Sequence, residues 1–245
     1  MISDVPIDEV APPLTGPALS AQRWDNLTFL HWPVDPAAVA GLFPPGVRPD
    51  VIDGASYVGL VPFEMRGAGP ARLRTPYFGS FCETNVRLYS VDEQGHHGIV
   101  FLTLDATRLA TVLLARMSLG LPYAWSAMSA RRESNVVTYR GIRRWPDRRR
   151  RAGGTVRVRI GAPAELTPLE VWLTSRWGLH TKVAGRTIWV PNWHERWPVH
   201  EAELLGSDCD LVDACGIRVD DRQMLRPLWS PGVHTIFGLP SRIRR

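Results

Sequence analysis

Residues 116–124 read Arg116-Met117-Ser118-Leu119-Gly120-Leu121-Pro122-Tyr123-Ala124. The stretch closes an apolar helix. Gly120 suits the left-handed residue that ends helices, and Arg116 falls in the last turn, where a cation complements the helix dipole. Upstream, Asp105 is the expected N-cap of that helix, which runs to about Ser118. Before it, Ile99 to Leu104 reads as a buried strand, Asp92 to Gly98 as a turn, and the alternating residues Phe81 to Tyr89 as a strand. Asp53-Gly54, between Val51-Ile52 and Ala55 to Val58, reads as a two-residue hairpin turn. Asp35-Pro36 opens a short helix that ends near Phe43, before Pro44-Pro45-Gly46.

Downstream, Asn135 to Arg143 and Thr155 to Ile160 are expected to pair antiparallel on either side of an arginine-rich turn. Thr167-Pro168-Leu169-Glu170 is a capping box that opens a helix to about Arg176. Thr187 to Val190 reads as a strand, and Ala202 to Leu205 as locally helical. Strands joined mostly by hairpins, with helices that interrupt rather than alternate, predict an α+β fold on a curved antiparallel sheet. The 245 residues, 44% of them hydrophobic, predict one domain over residues 21–245 after a flexible tail, residues 1–20.

Composition excludes several function classes. No apolar run approaches the ~20 residues of a membrane helix, and the acidic N-terminus does not read as a signal peptide. A cytoplasmic protein with no membrane partner is expected. Cys82, Cys209 and Cys215 are odd in number and widely spaced, which argues against a disulfide framework. The net charge of +5 equals the surplus of one segment, Arg143, Arg144 and Arg148 to Arg151 with Asp147. That segment reads as a solvated turn; a nucleic-acid face would spread its cations along a helix or stripe. No nucleic-acid partner is expected, and binding through this turn is kept only as a third reading.

No glycine-rich phosphate loop, GxSxG elbow or HExxH helix occurs. His194, His200, Cys209 and Cys215 do not have a familiar zinc spacing. Asp208, Asp210, Asp213, Asp220 and Asp221 lack calcium-loop spacing and read as a solvated connection. No metal and no cofactor are expected. His96 and His97 fall in a turn and are expected in solvent. Lys182 is the chain's only lysine, so an imine would have a single possible donor.

The richest chemical constellation lies on the strand through Glu83. Period-two alternation puts Glu83, Asn85, Arg87 and Tyr89 on one face and Cys82, Thr84, Val86 and Leu88 on the other. In a half-solvated sheet the polar face would meet water with a routine Glu–Arg pair. In a closed sheet it could look inward. Glu83 would then serve as acid or base, Arg87 as a clamp for a carboxylate or enolate, and Asn85 as a contact for a carbonyl. Tyr123 is an adequate hydrogen-bond donor and a poor base.

From Trp24 to about Pro240 the chain resembles the uncharacterised DUF2071 (YqjF-like) family, placed in the acetoacetate decarboxylase-like superfamily. The resemblance is carried by Leu27-Thr28-Phe29-Leu30-His31-Trp32, Tyr57-Val58-Gly59-Leu60-Val61-Pro62-Phe63, and Glu83-Thr84-Asn85-Val86-Arg87-Leu88-Tyr89. Leu173 to His180 and Ser230-Pro231-Gly232-Val233 complete it. It implies a cone-like, partly closed antiparallel β-barrel with an internal cavity and peripheral helices, in proteins that often form homo-oligomers. Residues 116–124 resemble the decarboxylase segment in which a lysine after proline forms the Schiff base. Here Tyr123 and Ala124 stand at the two lysine positions, and the substrate-holding arginine aligns near Asp25. Glu83 matches a catalytic glutamate, which implies that its face is the cavity side.

Catalytic roles are therefore expected of Glu83, Tyr123 and Arg87. Ligand contacts are expected of Asn85, Tyr89, Arg116, His31, Trp32, His180 and Trp125. The expected function is binding of a small carbonyl or carboxylate compound, with non-covalent acid–base chemistry such as enolisation, dehydration, cyclisation or a lyase step. The rival is a binding module for an apolar ligand, consistent with ten tryptophans crowding the core or a pocket.

Overall fold

The computed structural model describes residues 7–71, 79–146 and 151–243. Its strands are β1 (Ser20–Val34), β2 (Val47–Pro49), β3 (Ser56–Pro70), β4 (Phe81–Asp92), β5 (His97–Ala106), β6 (Tyr123–Glu133), β7 (Val136–Trp145), β8 (Gly153–Pro163), β9 (Gly178–Val183), β10 (Arg186–His194), β11 (His200–Ser207), β12 (Leu228–Phe237) and β13 (Ser241–Arg242). The helices are α1 (Pro36–Val39), α2 (Leu109–Leu119), α3 (Pro168–Thr174) and α4 (Leu211–Ala214). Local signals act as their chemistry dictates. Asp35 caps α1 through the Ala37 N–H, Thr167 and Glu170 form the reciprocal capping box of α3, and Asp53 and Gly54 turn at φ 50° and 80°.

All strands join one curved sheet. The sequence β4–β5–β6–β7–β8–β11–β12–β1–β3 returns to β4 as a ring of nine strands. Because β9 and β10 bridge β5 to β12, a smaller ring closes on the other side. The strands β12, β1, β3, β4 and β5 belong to both rings. Pairing is antiparallel except at β5–β6 and β5–β9, which are parallel.

The shared wall therefore has no solvent side. One apolar core gathers Phe29, Phe63, Phe81, Leu104, Leu179 and Val190, and the other gathers Leu30, Val58, Leu60, Val86, Leu88 and Val158. A register shift between Asp25 and Leu30, with Asn26 at φ 46°, lets Trp24 and Leu27 face the first core. Beyond the bulge, strict alternation sends Phe29 and His31 to that side and Leu30 and Trp32 to the other.

Several sequence expectations are corrected. Asp105 is not a helix cap: it stays in β5, where its carboxylate accepts from Arg143 (2.6 and 3.0 Å), Ser126 (2.6 Å) and Thr103 (2.9 Å). The helix starts only at Leu109. Ala202 to Leu205 is extended, because pairing of β11 with β8 overrides local helix propensity. Arg143 belongs to a buried ion pair rather than a solvated turn; residues 147–150 of that turn lie outside the described residues. Asp208 and Asp210 accept backbone N–H groups of Thr155 and Gly153, tying down β8. His97 and His96 pair with Asp50 and Asp92 (2.7 and 2.8 Å); His97 is largely covered rather than standing in water, whereas the His96 side chain keeps 38% of its surface exposed. Residues 7–11 are not free: Ile7 packs on the core, Trp177 donates to the Asp8 carbonyl, and Arg196 pairs with Glu9.

Helix α2 covers the smaller ring's opening, and its outer face is apolar. On that face Leu113 is 41% exposed and Met117 77%. The helix ends at Gly120, φ 63°, where a Cβ would lie 2.2 Å from the Lys182 carbonyl oxygen. Among the described residues no helix is long and apolar enough to cross a membrane.

Candidate functional site

Strand β4 is buried along both faces, and its alternation delivers Glu83, Asn85 and Arg87 into the smaller ring. There they line a cavity of about 500 Å³, together with Tyr123 at the start of β6. The remaining wall is almost wholly apolar, including Trp24, Val61, Phe63 and Trp197, with Leu114 and Ala115 of α2 across the mouth. Trp24 and Trp197 stack with centroids 6.0 Å apart. A second depression, of about 630 Å³, lies at the surface between Glu93, Arg186 and Arg242 and, among the described residues, gathers no buried polar group.

Glu83 is 2% exposed and accepts a hydrogen bond from the Tyr123 hydroxyl at 2.9 Å. Burial lifts its pKa to about 8, with the charge of Asp105 adding to the rise and hydrogen bonds from Tyr123 and Asn85 opposing it. The carboxyl group is thus predominantly protonated at neutral pH. Burial, then the charge of Glu83, holds the Tyr123 phenol well above its ordinary range, so it remains a donor. Asn85 spends its amide N–H on Glu83, and its Oδ1 is buried with no partner.

Arg87 is buried at the inner end of this row. Its Nε donates to the Tyr89 hydroxyl (3.3 Å) and one Nη to the Leu173 carbonyl (3.4 Å). Among the described residues no carboxylate comes within ion-pair distance of it. Phe29 and Tyr89 flank the guanidinium at 5.5 and 5.6 Å. Gly59 faces Arg87 across the β3–β4 ladder, and a Cβ there would sit 3.1 Å from the His31 ring and 3.4 Å from the Arg87 side chain. Glycine therefore leaves room for both groups.

Of the expected ligand contacts, only Asn85 lines the cavity. Tyr89 and His31 stand behind Arg87, joined by a 2.6 Å hydrogen bond, and burial with the neighbouring Arg87 and Arg176 holds His31 neutral. Trp32 faces the opposite core and donates to Asp221. His180 is enclosed by Ser90 (2.8 Å), Asp92 (3.4 Å) and the Trp189 ring, with its pKa pushed down by burial to about 4. Arg116 donates to the Tyr123 carbonyl and lies over Trp145, so it positions the tyrosine's backbone rather than meeting a ligand. Trp125 is half-buried beneath Arg144 and lies outside the lining.

Trp24 and Trp197 were not singled out by sequence as site residues, because only the β1 bulge and the ring closure reveal their direction. Arg176, whose guanidinium lies 3.8 Å from the Trp172 ring centroid and pairs with buried Asp50, backs Tyr89 in the same way. His194 bonds the Glu195 carbonyl and sits among Trp24, Trp177 and Trp197. Cys82, Cys209 and Cys215 form no disulfide. Among the described residues no three His, Cys, Asp or Glu side chains converge as a metal site. Lys182 is exposed on β9 and does not line the cavity.

Residues 21–234 match the DUF2071 family, described as "Uncharacterized conserved protein". The uncharacterized protein YqjF of Bacillus subtilis (strain 168) is 30% identical over 207 residues, covering 83% of this chain and 84% of YqjF. Solved structures of similar fold include the enduracididine biosynthesis enzyme MppR, with a TM-score of 0.65 at 14% identity over 94% of this chain and 89% of that one. An acetoacetate decarboxylase from Legionella pneumophila has a TM-score of 0.61 at 12% identity, over 96% and 92% of the two chains. The fold is thus acetoacetate decarboxylase-like: mostly strand, in one large sheet curved into rings.

Proposed function

The chain belongs to the DUF2071 family, and from that premise we propose that it is an enzyme acting on a small carbonyl or carboxylate compound by non-covalent acid–base chemistry. The observation that carries this reading is the buried Glu83, held by Tyr123 at 2.9 Å in an apolar cavity, its pKa raised by burial, beside an arginine that has no carboxylate partner among the described residues. A carboxyl group with a pKa near the working pH can both give and take a proton, which is what a general acid–base catalyst requires. Glu83 donates to, or withdraws from, the reacting carbon–oxygen unit. Tyr123 orients the carboxyl with its one O–H, Arg87 holds the anionic group, and Asn85, whose amide N–H is spent on Glu83, offers its Oδ1 to a donor on the substrate. Enolisation, dehydration, cyclisation and lyase steps can all draw on this set.

Fold neighbours support a small-molecule enzyme: MppR has been solved with pyruvate and with the condensation product of pyruvate and imidazole 4-carboxaldehyde. The chemistry proposed here uses no imine, since the single lysine is exposed and away from the cavity. Exchange of α-hydrogens of a β-keto acid or β-diketone in heavy water, followed by proton NMR, tests the reading. The wild-type chain is expected to accelerate exchange, and Glu83→Gln to lower the rate by about 100-fold or more. Equal rates in the two proteins would sink the proposal. Borohydride with the same keto acid should leave Lys182 unmodified.

The apolar wall and the Trp24–Trp197 stack favour a second reading, a protein that sequesters an apolar ligand without turnover. In that case Glu83→Gln leaves affinity nearly unchanged and no exchange is catalysed by either protein.

A further inference from the structure

The polar end of the cavity has a definite hydrogen-bond pattern. Arg87 is the only cation and Glu83 the only acid among the described lining residues, and Glu83 keeps its proton at neutral pH. Among the described lining residues the cavity thus presents one positive charge with no counterion. Asn85 Oδ1 is a buried acceptor with no partner among the described residues. Asn85 and Arg87 are alternate residues on one strand face, about 7 Å apart along the strand, so a ligand spanning them has its two polar groups a few bonds apart.

We infer that, on the acid–base reading above, the ligand is a β-hydroxy carboxylate with a hydrocarbon body. Its carboxylate lies on Arg87, and its hydroxyl lies between Glu83 and Asn85, accepting from the first and donating to Oδ1 of the second. A hydroxyl can do both, whereas a ketone accepts only and leaves the Asn85 oxygen orphaned. A single guanidinium balances one carboxylate; a phosphate dianion would leave charge uncompensated in an apolar cavity. The body is hydrocarbon because the wall beyond these residues is Val61, Phe63, Leu104, Trp197 and Leu114.

Calorimetric titration of the full chain with β-hydroxydecanoate, decanoate and decanol tests the inference. β-Hydroxydecanoate should bind about tenfold more tightly than decanoate, and decanoate about tenfold more tightly than decanol. Asn85→Leu should erase the first preference and keep the second, and Arg87→Leu the reverse. The wild-type series decides by itself if either variant fails to fold. Equal affinity for β-hydroxydecanoate and decanoate, a preference for decanol, or no binding of any of the three at millimolar concentration overturns the inference. Lost preferences with Glu83-dependent hydrogen exchange intact reject the ligand class alone. Intact preferences without such exchange reject the acid–base reading alone.

Discussion

At the scale of a residue, Glu83 couples the site's chemistry to the protein's stability. Its ordinary pKa is 4.5, and in the folded chain burial raises it to about 8. Below pH 4.5 folded and unfolded states both hold the proton. Between that value and 8 only the folded state keeps it, so stability falls as pH rises, and above 8 the full cost is present. Urea denaturation across this window should show Glu83→Gln gaining stability relative to wild type as pH increases, by a few kcal/mol at most. If Glu83 acts as the acid, turnover should decline above pH 8 in the wild-type chain, measured as kcat against pH. Asp50 and Asp92 work in the opposite direction. Burial would raise both carboxyls, but it is outweighed jointly, at Asp50 by the hydrogen bonds and charges of His97 and Arg176 and at Asp92 by the hydrogen bonds and charge of His96 with the charge of His180. Both therefore lie below their ordinary range, and their support is lost as pH falls through the lowered values.

At the scale of an element, α2 is held by its end rather than by its outer face. Gly120 closes it at φ 63° with the Lys182 carbonyl where a side chain would go. Gly120→Ala should destabilise the fold by about 2 kcal/mol or more, read as a lower midpoint in thermal unfolding. It should also weaken ligand binding, because Leu114, Ala115 and Leu119 wall the cavity from this helix. The same elements show what the sequence disclosed. The α1 cap, the α3 capping box, the Asp53-Gly54 turn and the β7–β8 pairing were legible because their signals are local. Asp105 misled: an aspartate before an apolar run reads as a cap, and only the distant Arg143 assigns it otherwise. Ala202 to Leu205 misled for the same reason, since its strand exists only by pairing with β8.

At the scale of the whole molecule, the wall shared by two rings makes the site depend on a core it never touches. Leu88 lies on β4, fully buried, facing away from the cavity. Leu88→Ala should cost about 2–5 kcal/mol in denaturant unfolding, with any loss of turnover following the folded fraction rather than a changed pH profile. Alternation told which residues share the Glu83 face. It could not tell which way that face looks, because direction follows from ring closure. His31 and Trp32 illustrate the limit: alternation puts these neighbours on opposite faces, but only the bulge at Asn26 and the ring closure decide that His31 backs the cavity row while Trp32 enters the other core.

The exposed apolar face of α2 has a different consequence, for adaptation. Every position on β4 answers to two interiors at once, so its freedom to vary is small. Helix α2 meets the cavity and the first core on one side and water on the other, and only its outer residues, Leu109, Leu113 and Met117, can change size without disturbing either core. A randomised library on α2 would alter which molecules the cavity admits, while one on β4 would mostly decide whether the chain folds.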